Sequence, residues 1–323
     1  MSRKMYLYNL HFFDAEDFKN FSIVGYSFCP IAERQPKIEL DYGLIFNRGM
    51  HLNSYVLIPK RQAGSVFFKG GKSSQHRERK FLDDILLIIS ILIGRNTVAK
   101  FHKKYSCFPL CSSKHCSIIA LNSEELLEYL KIAIPLIKDS VWQDKYDSGF
   151  HLNMFYNNSN IFVEESGFLA NISLWEHLYY RNHKDKSFED IKNCSLDGKI
   201  HFLIKEYFLK DECKIEQNNL RIFSDIRNQL SHNGKLPIQN PKSPFLKLGY
   251  AGCEHYVKMF GRLTHVLVLK TLGIDAIGKL HVFGVKAHLD ELVKEGFVSH
   301  FKEMDCPIKP GAMTGGEKRR GNG

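Results

Sequence analysis

The sequence predicts an α+β protein, with a β-rich N-terminal module followed by an all-helical bundle. Two observations carry this. The first 70 residues are rich in aromatic and β-branched residues punctuated by Gly, Pro and Asn. Beyond residue 80 the apolar residues recur at spacings of three and four, the period of a helix.

In order along the chain, strands are expected over Met5–Phe13, Phe21–Phe28, Lys37–Phe46, Leu52–Ile58 and Ser65–Phe68. Gln75–Lys80 is polar and basic and reads as a linker. Phe81–Ile93 is the first expected helix. A second opens at Asn122, with Glu125 at the capping-box position, and runs to Ile137. Tyr156–Asn160 is loop sequence.

Four longer helices follow. Phe168–Arg181 carries Leu169, Ile172, Trp175 and Leu178 on one stripe, and Phe188–Leu209 carries Ile191, Leu203 and Phe208. Asn219–His232 places Ile222, Ile226 and Leu230 four apart, with Gly234 and Pro237 as stop signals. Tyr250–Leu272 aligns Tyr256, Phe260, Leu263 and Leu267 before Gly273. Four such helices with short connections suit a bundle. Ala287–Glu295 offers one more. The expected division is 1–75 for the β-rich module, 76–160 for a helical connecting region and 161–273 for the bundle. Residues 274–309 form a C-terminal extension, and the Gly-rich stretch 310–323 is an expected disordered tail.

The 323 residues are 44% apolar and 25% charged, an ordinary globular composition. The most lipid-like run, Ile85–Ile93, has about half the length of a membrane span and is interrupted by Ser90. The first residues lack an apolar signal core, so a cytoplasmic location without membrane contact is expected. Eight cysteines in a chain this long are expected as reduced thiols.

The net charge is +10. Between Lys60 and Lys104 eleven Lys and Arg face three acids, which suits either a solvated surface or a polyanionic partner. Lys60, Arg61, Lys100, Lys103 and Lys104 are the candidate RNA contacts.

The chemistry concentrates in Asp225-Ile226-Arg227-Asn228-Gln229-Leu230-Ser231-His232-Asn233-Gly234. RNA is cut without metal when its 2′-hydroxyl attacks the adjacent phosphorus, given a base for that proton and an acid for the leaving 5′-oxygen. Histidine serves either role near neutral pH. A guanidinium matches the charge that builds on the phosphoryl oxygens. Asn228 and His232, four apart, share a helix face, and Asn228 is placed to orient the imidazole or contact phosphate.

This string resembles the motif of the HEPN ribonuclease family, an Arg, often with a polar residue directly after it, separated by four to six residues from a His. Here the gap is four and the polar residue is Asn228. The spacing alone is unspecific: thirteen arginines and fifteen histidines give about 1.8 matches by chance. The other match, Arg95 to His102, straddles an expected helix end. The match at Arg227 sits at the end of the third of four helices, with a long closing helix after it, as in the family.

The resemblance covers about a third of the chain. It implies a metal-independent endoribonuclease without cofactor, an effector in prokaryotic antiviral defence, with Arg227, Asn228 and His232 catalytic. Glu176 and Ser231 are candidate supports. It also implies a homodimer whose two motifs share one cleft, and it leaves any regulatory protein partner unidentified. Toxins of this family that are silenced by adenylylation carry a Tyr two residues after the His. Here that position is Gly234, so such silencing is not expected.

Three alternatives compete. His232 is also placed to cap helix carbonyls, with Arg227 pairing Glu176 or Asp225. The chain also fits a non-catalytic HEPN module binding RNA or a partner, with the β-rich part sensing a ligand. A metal-dependent nuclease is disfavoured because no paired carboxylates lie near the motif. His102, Cys107, Cys111, His115 and Cys116 have zinc-type chemistry, but their spacing matches no familiar zinc module, and they read as free side chains in a loop. Trp175, Tyr179 and Tyr180 read as core residues.

Overall fold

A computed structural model describes residues 3–8, 10, 12, 17–31, 37–38, 50–58, 82, 84–93, 97–101, 104–105, 120, 122–138, 164–183, 193–209, 214–275, 285–294 and 297. The strands are β1 (Arg3–Tyr8), β2 (Phe21–Ile23), β3 (Tyr26–Pro30), β4 (Lys37–Ile38), β5 (Met50–Ile58), β6 (Val98–Phe101) and β7 (Lys104–Tyr105). Their order is β2-β3-β5-β1-β6-β7 with β4 on β5, and every pairing is antiparallel. In β1, Met5 and Leu7 face the core while Lys4 and Tyr6 face solvent, the alternation of a sheet with one wet face.

The expected single strand Phe21–Phe28 is a hairpin instead. Val24 and Gly25 both have positive φ, 50° and 83°, which turns the chain back within two residues. A β-branched residue is rare in that conformation, so only Gly25 carried a turn signal.

Helix α1 spans residues 84–93 and is buried from Ile85 to Ile93. A helix that is apolar all round belongs in a core. Its one hydroxyl is satisfied: Ser90 Oγ donates to Leu86 O at 2.7 Å and accepts from Thr97 N at 2.8 Å. Helix α2 (Ser123–Lys138) begins at the expected cap, where Asn122 Oδ1 accepts from Glu125 N at 2.9 Å. Ser123 Oγ donates to Asp17 O and accepts from Lys19 N, which ties α2 to the segment entering β2. Among the described residues no helix is long and apolar enough to cross a membrane.

The later helices are α3 (Glu164–Asn182), α4 (Leu196–Ile204), α5 (Gln217–Asn233), α6 (Gly249–Thr271) and α7 (Val285–Val293). Helix α4 runs into a π turn over Lys205–Leu209. It starts at Leu196, where Ser195 caps it by accepting from Gly198 N. Residues 184–192, on which the first part of the expected helix Phe188–Leu209 falls, lie outside the described residues. Helices α3 and α6 pack together, as do α4 and α5, with α5 also against α3 and α6.

Phe260 on α6 is the hub of that packing. Its ring lies 5.2 Å from Phe168, 5.1 Å from Trp175 and 4.9 Å from Phe223, one partner from α5 and two from α3. Trp175 Nε1 donates to Thr264 Oγ1 at 2.8 Å, so the buried indole keeps its bond. Trp175 and Tyr179 are core residues, while Tyr180 is more than a third exposed. Apolar residues of the sheet, α1 and the later helices belong to one continuous core.

His265 on α6 lies in that core and bonds to the Ile91 backbone of α1. Burial pulls its pKa from 6.5 down to about 4. Between those values the unfolded chain takes up a proton that the folded chain refuses, so folding weakens as the pH falls through that window. Urea denaturation should show a loss on the order of 3 kcal/mol from neutral pH to about pH 4 that His265→Leu does not share. An equal acid response in both proteins would refute the assignment.

Candidate active site

Helix α5 has one apolar face, with Leu220, Ile222, Phe223, Ile226 and Leu230 buried. Arg227, Asn228, Ser231 and His232 lie off that face: Arg227 is half-buried and the other three are exposed. The helix stops where the sequence indicated. Gly234 takes the left-handed conformation at φ 68°, and its N–H reaches Leu230 O at 2.9 Å.

The chain after Gly234 folds back over the last turns of α5. Leu236, Ile238 and Phe245 anchor it in the core. Gln229 fixes it to the helix. This carboxamide is 4% exposed and has three partners: Nε2 donates to Lys235 O at 3.0 Å, while Oε1 accepts from Asn233 Nδ2 at 3.1 Å and Gln239 N at 3.0 Å. Farther along, Asp225 accepts from Ser243 Oγ, and Ser243 Oγ accepts from Phe245 N at 3.1 Å. Arg221 Nε stands 3.9 Å from Asp225 on the other side.

Between helix and return lies an open cleft of about 340 Å³, lined by Asp225, Asn228, Gln229, His232, Asn233, Gln239 and Asn240. Asn228 and His232, one turn apart, line the same wall. Arg227 joins through Asn228, with Nη1 donating to Asn228 Oδ1 at 3.1 Å. With its carbonyl oxygen taken by Arg227, Asn228 presents its NH₂ as a donor. The site therefore combines an accessible imidazole, an amide donor and an adjoining guanidinium, in a cleft otherwise walled mainly by carboxamides.

The other candidates are distributed differently. Glu176 on α3 bonds Lys199 on α4 at 2.9 Å, a half-buried ion pair that Tyr180 Oη also joins, so its carboxylate is engaged away from Arg227. Ser231 is exposed on α5 and does not line the cleft. Lys100 and Lys104 fall on the β6–β7 pair at the sheet edge, opposite Tyr105 and Phe101. Lys60, Arg61, Lys103, Arg95, His102 and the Cys107, Cys111, His115, Cys116 group lie outside the described residues.

Asn233, Gln239 and Asn240 were not singled out in the sequence. Their signal is compositional only: a run of carboxamide side chains on both sides of a Gly-Lys-Leu-Pro turn. No family model matches the chain, and neither a curated protein nor a solved structure matches it.

Removing the Gln229 carboxamide leaves a backbone N–H and a backbone carbonyl without their partner. Gln229→Ala should cost about 1–3 kcal/mol in thermal or chemical denaturation. Ser231→Ala, on the exposed face two residues on, should stay within about 0.5 kcal/mol of the parent. Equal effects at both positions would show that Gln229 does not hold the cleft wall.

Proposed function

We propose that this chain is a metal-independent endoribonuclease of the HEPN type, acting on RNA by attack of the 2′-hydroxyl on the adjacent phosphorus. The observation that carries this is the cleft wall, where Asn228 and His232 stand together and Arg227 is bonded to Asn228. The order of α3 to α6, with the motif at the end of the third, fits the family arrangement. Among the described residues that line the cleft the single carboxylate, Asp225, is already engaged by Ser243 and Arg221, which disfavours a role as one of a metal-holding pair.

In the proposed reaction one His232 imidazole takes the 2′-hydroxyl proton as the 2′-oxygen bonds to phosphorus. The bond from phosphorus to the 5′-oxygen breaks, and that oxygen receives a proton from a second acid. The products are a 2′,3′-cyclic phosphate and a 5′-hydroxyl. Arg227 stabilises charge on the non-bridging oxygens, and the Asn228 NH₂ holds one of them. One imidazole cannot stand on both sides of the phosphorus. A second copy of the chain, related by a twofold axis, supplies the other His232 and makes the homodimer the working unit. An effector role in prokaryotic antiviral defence is the setting the family resemblance implies.

Purified protein incubated with total RNA in EDTA should produce fragments ending in cyclic or 3′-phosphate. Arg227→Ala and His232→Ala should each reduce cleavage by about 100-fold or more. Both should stay within about 1 kcal/mol of parental stability, since neither side chain is in the core. Sedimentation should show a dimer. Cleavage that disappears in EDTA and returns with magnesium, full activity in His232→Ala, or full activity from a monomer would each contradict the mechanism. RNA that binds but is never cut would favour the non-catalytic alternative.

A further inference from the structure

Helix α7 rejoins the bundle through a polar cluster that the cleft does not use. Asn219 Nδ2, at the start of α5, donates to Leu292 O at 2.6 Å, and Leu289, Leu292 and Phe297 are buried beneath. Beside this contact His255 from α6 meets His288 and Glu291 from α7. The latter two are three residues apart and so share a helix face. Potential ligand atoms of all three lie within 4.8 Å of one another.

We propose that His255, His288 and Glu291 form a zinc site that clamps α7 onto α6. Two imidazoles and one carboxylate are a ligand set of the borderline kind zinc favours, with a fourth position left for water at this partly exposed surface. Two ligand atoms about 2.0–2.1 Å from a tetrahedral ion stand about 3.3 Å apart. His255 Nε2 and Glu291 Oε2 are 3.2 Å apart. Tyr256 Oη donates to Glu291 Oε1 at 2.9 Å, which occupies the outer oxygen and leaves Oε2 turned towards His255. Such a bond to a ligand's far atom is the usual support of a metal-binding carboxylate.

Arg262 explains the remaining geometry. Its Nη1 lies 2.9 Å from His288 Nε2. Arginine can only donate, so that ring nitrogen offers a lone pair, the same electrons a metal would take. Arg262 is the competitor for this ligand, and its exposed position lets it swing into solvent when zinc enters. None of the three ligands lines the cleft, so the clamp acts on stability and is independent of the proposed cleavage chemistry.

The test uses the full chain, stripped of metal by chelation and titrated with zinc by calorimetry and with cobalt(II) by visible absorption. One equivalent should bind with the bands of a low-coordinate nitrogen–oxygen site, and zinc should raise the melting temperature. His255→Ala and Glu291→Gln, both at positions with solvent access, should remove that equivalent and the thermal shift. Arg262→Ala should bind zinc about 10-fold more tightly, the lower end of what outer-shell changes do to metal affinity. Sulfur-to-cobalt charge-transfer bands, or uptake unchanged in His255→Ala and Glu291→Gln, would place the metal elsewhere and overturn the proposal, as would no uptake at all.

Discussion

A buried carboxamide bonded through both its oxygen and its nitrogen is the constraint on which the candidate site depends. Gln229 points inward from the helix whose outer residues are the candidate catalytic ones, and its oxygen and nitrogen grip the returning chain at Lys235 and Gln239. Buried and unpaired, the group would cost a few kcal/mol; paired, it specifies one path for that chain. Asn233 completes the arrangement by donating to the same oxygen from the helix end. Without this grip the return segment would keep its apolar anchors and the Ser243–Asp225 bond farther along, but the wall opposite His232 would lose the bonds nearest to it.

The scaffold beneath is aromatic. Phe260, between Phe168, Trp175 and Phe223, locks α3, α5 and α6 together, and the Trp175–Thr264 bond fixes the rotation of α6 against α3. Helix α5 is thereby held by its inner face while its outer face stays open to solvent. The proposed chemistry and the stabilising contacts fall on opposite sides of one helix, so substitution of His232 leaves the core contacts of α5 in place.

Much of this was legible in the residues. Asn122 and Glu125 announced the start of α2, Gly234 announced the end of α5, and the apolar run at Ile85–Ile93, broken only by Ser90, gave a helix too short for a bilayer and fit for a core. What failed was local geometry overruling pattern. Val24 adopts a conformation its side chain disfavours, so the β2–β3 turn was hidden in a strand-like sequence. Ser195, a cap inside the expected helix Phe188–Leu209, breaks that pattern and starts α4 at Leu196. The cleft was only half visible: Arg227, Asn228 and His232 have a spacing, whereas Gln239 and Asn240 come from a loop whose position depends on the long-range bonds of Gln229. Glu176 shows the same limit, since its choice of Lys199 follows from how α3 and α4 pack.

The central claim is that the wall formed by Asn228 and His232, with Arg227 behind it, directs a 2′-hydroxyl against phosphorus. The most direct measurement compares one RNA oligonucleotide containing a mapped cleavage position with the same oligonucleotide carrying a single 2′-deoxy sugar immediately 5′ of that linkage. The account predicts that the all-ribose strand is cut there and that the substituted strand is not, although it still binds. Cleavage of both strands at equal rates would mean that the nucleophile is not the 2′-hydroxyl, and the assignment of His232 as its base would fall.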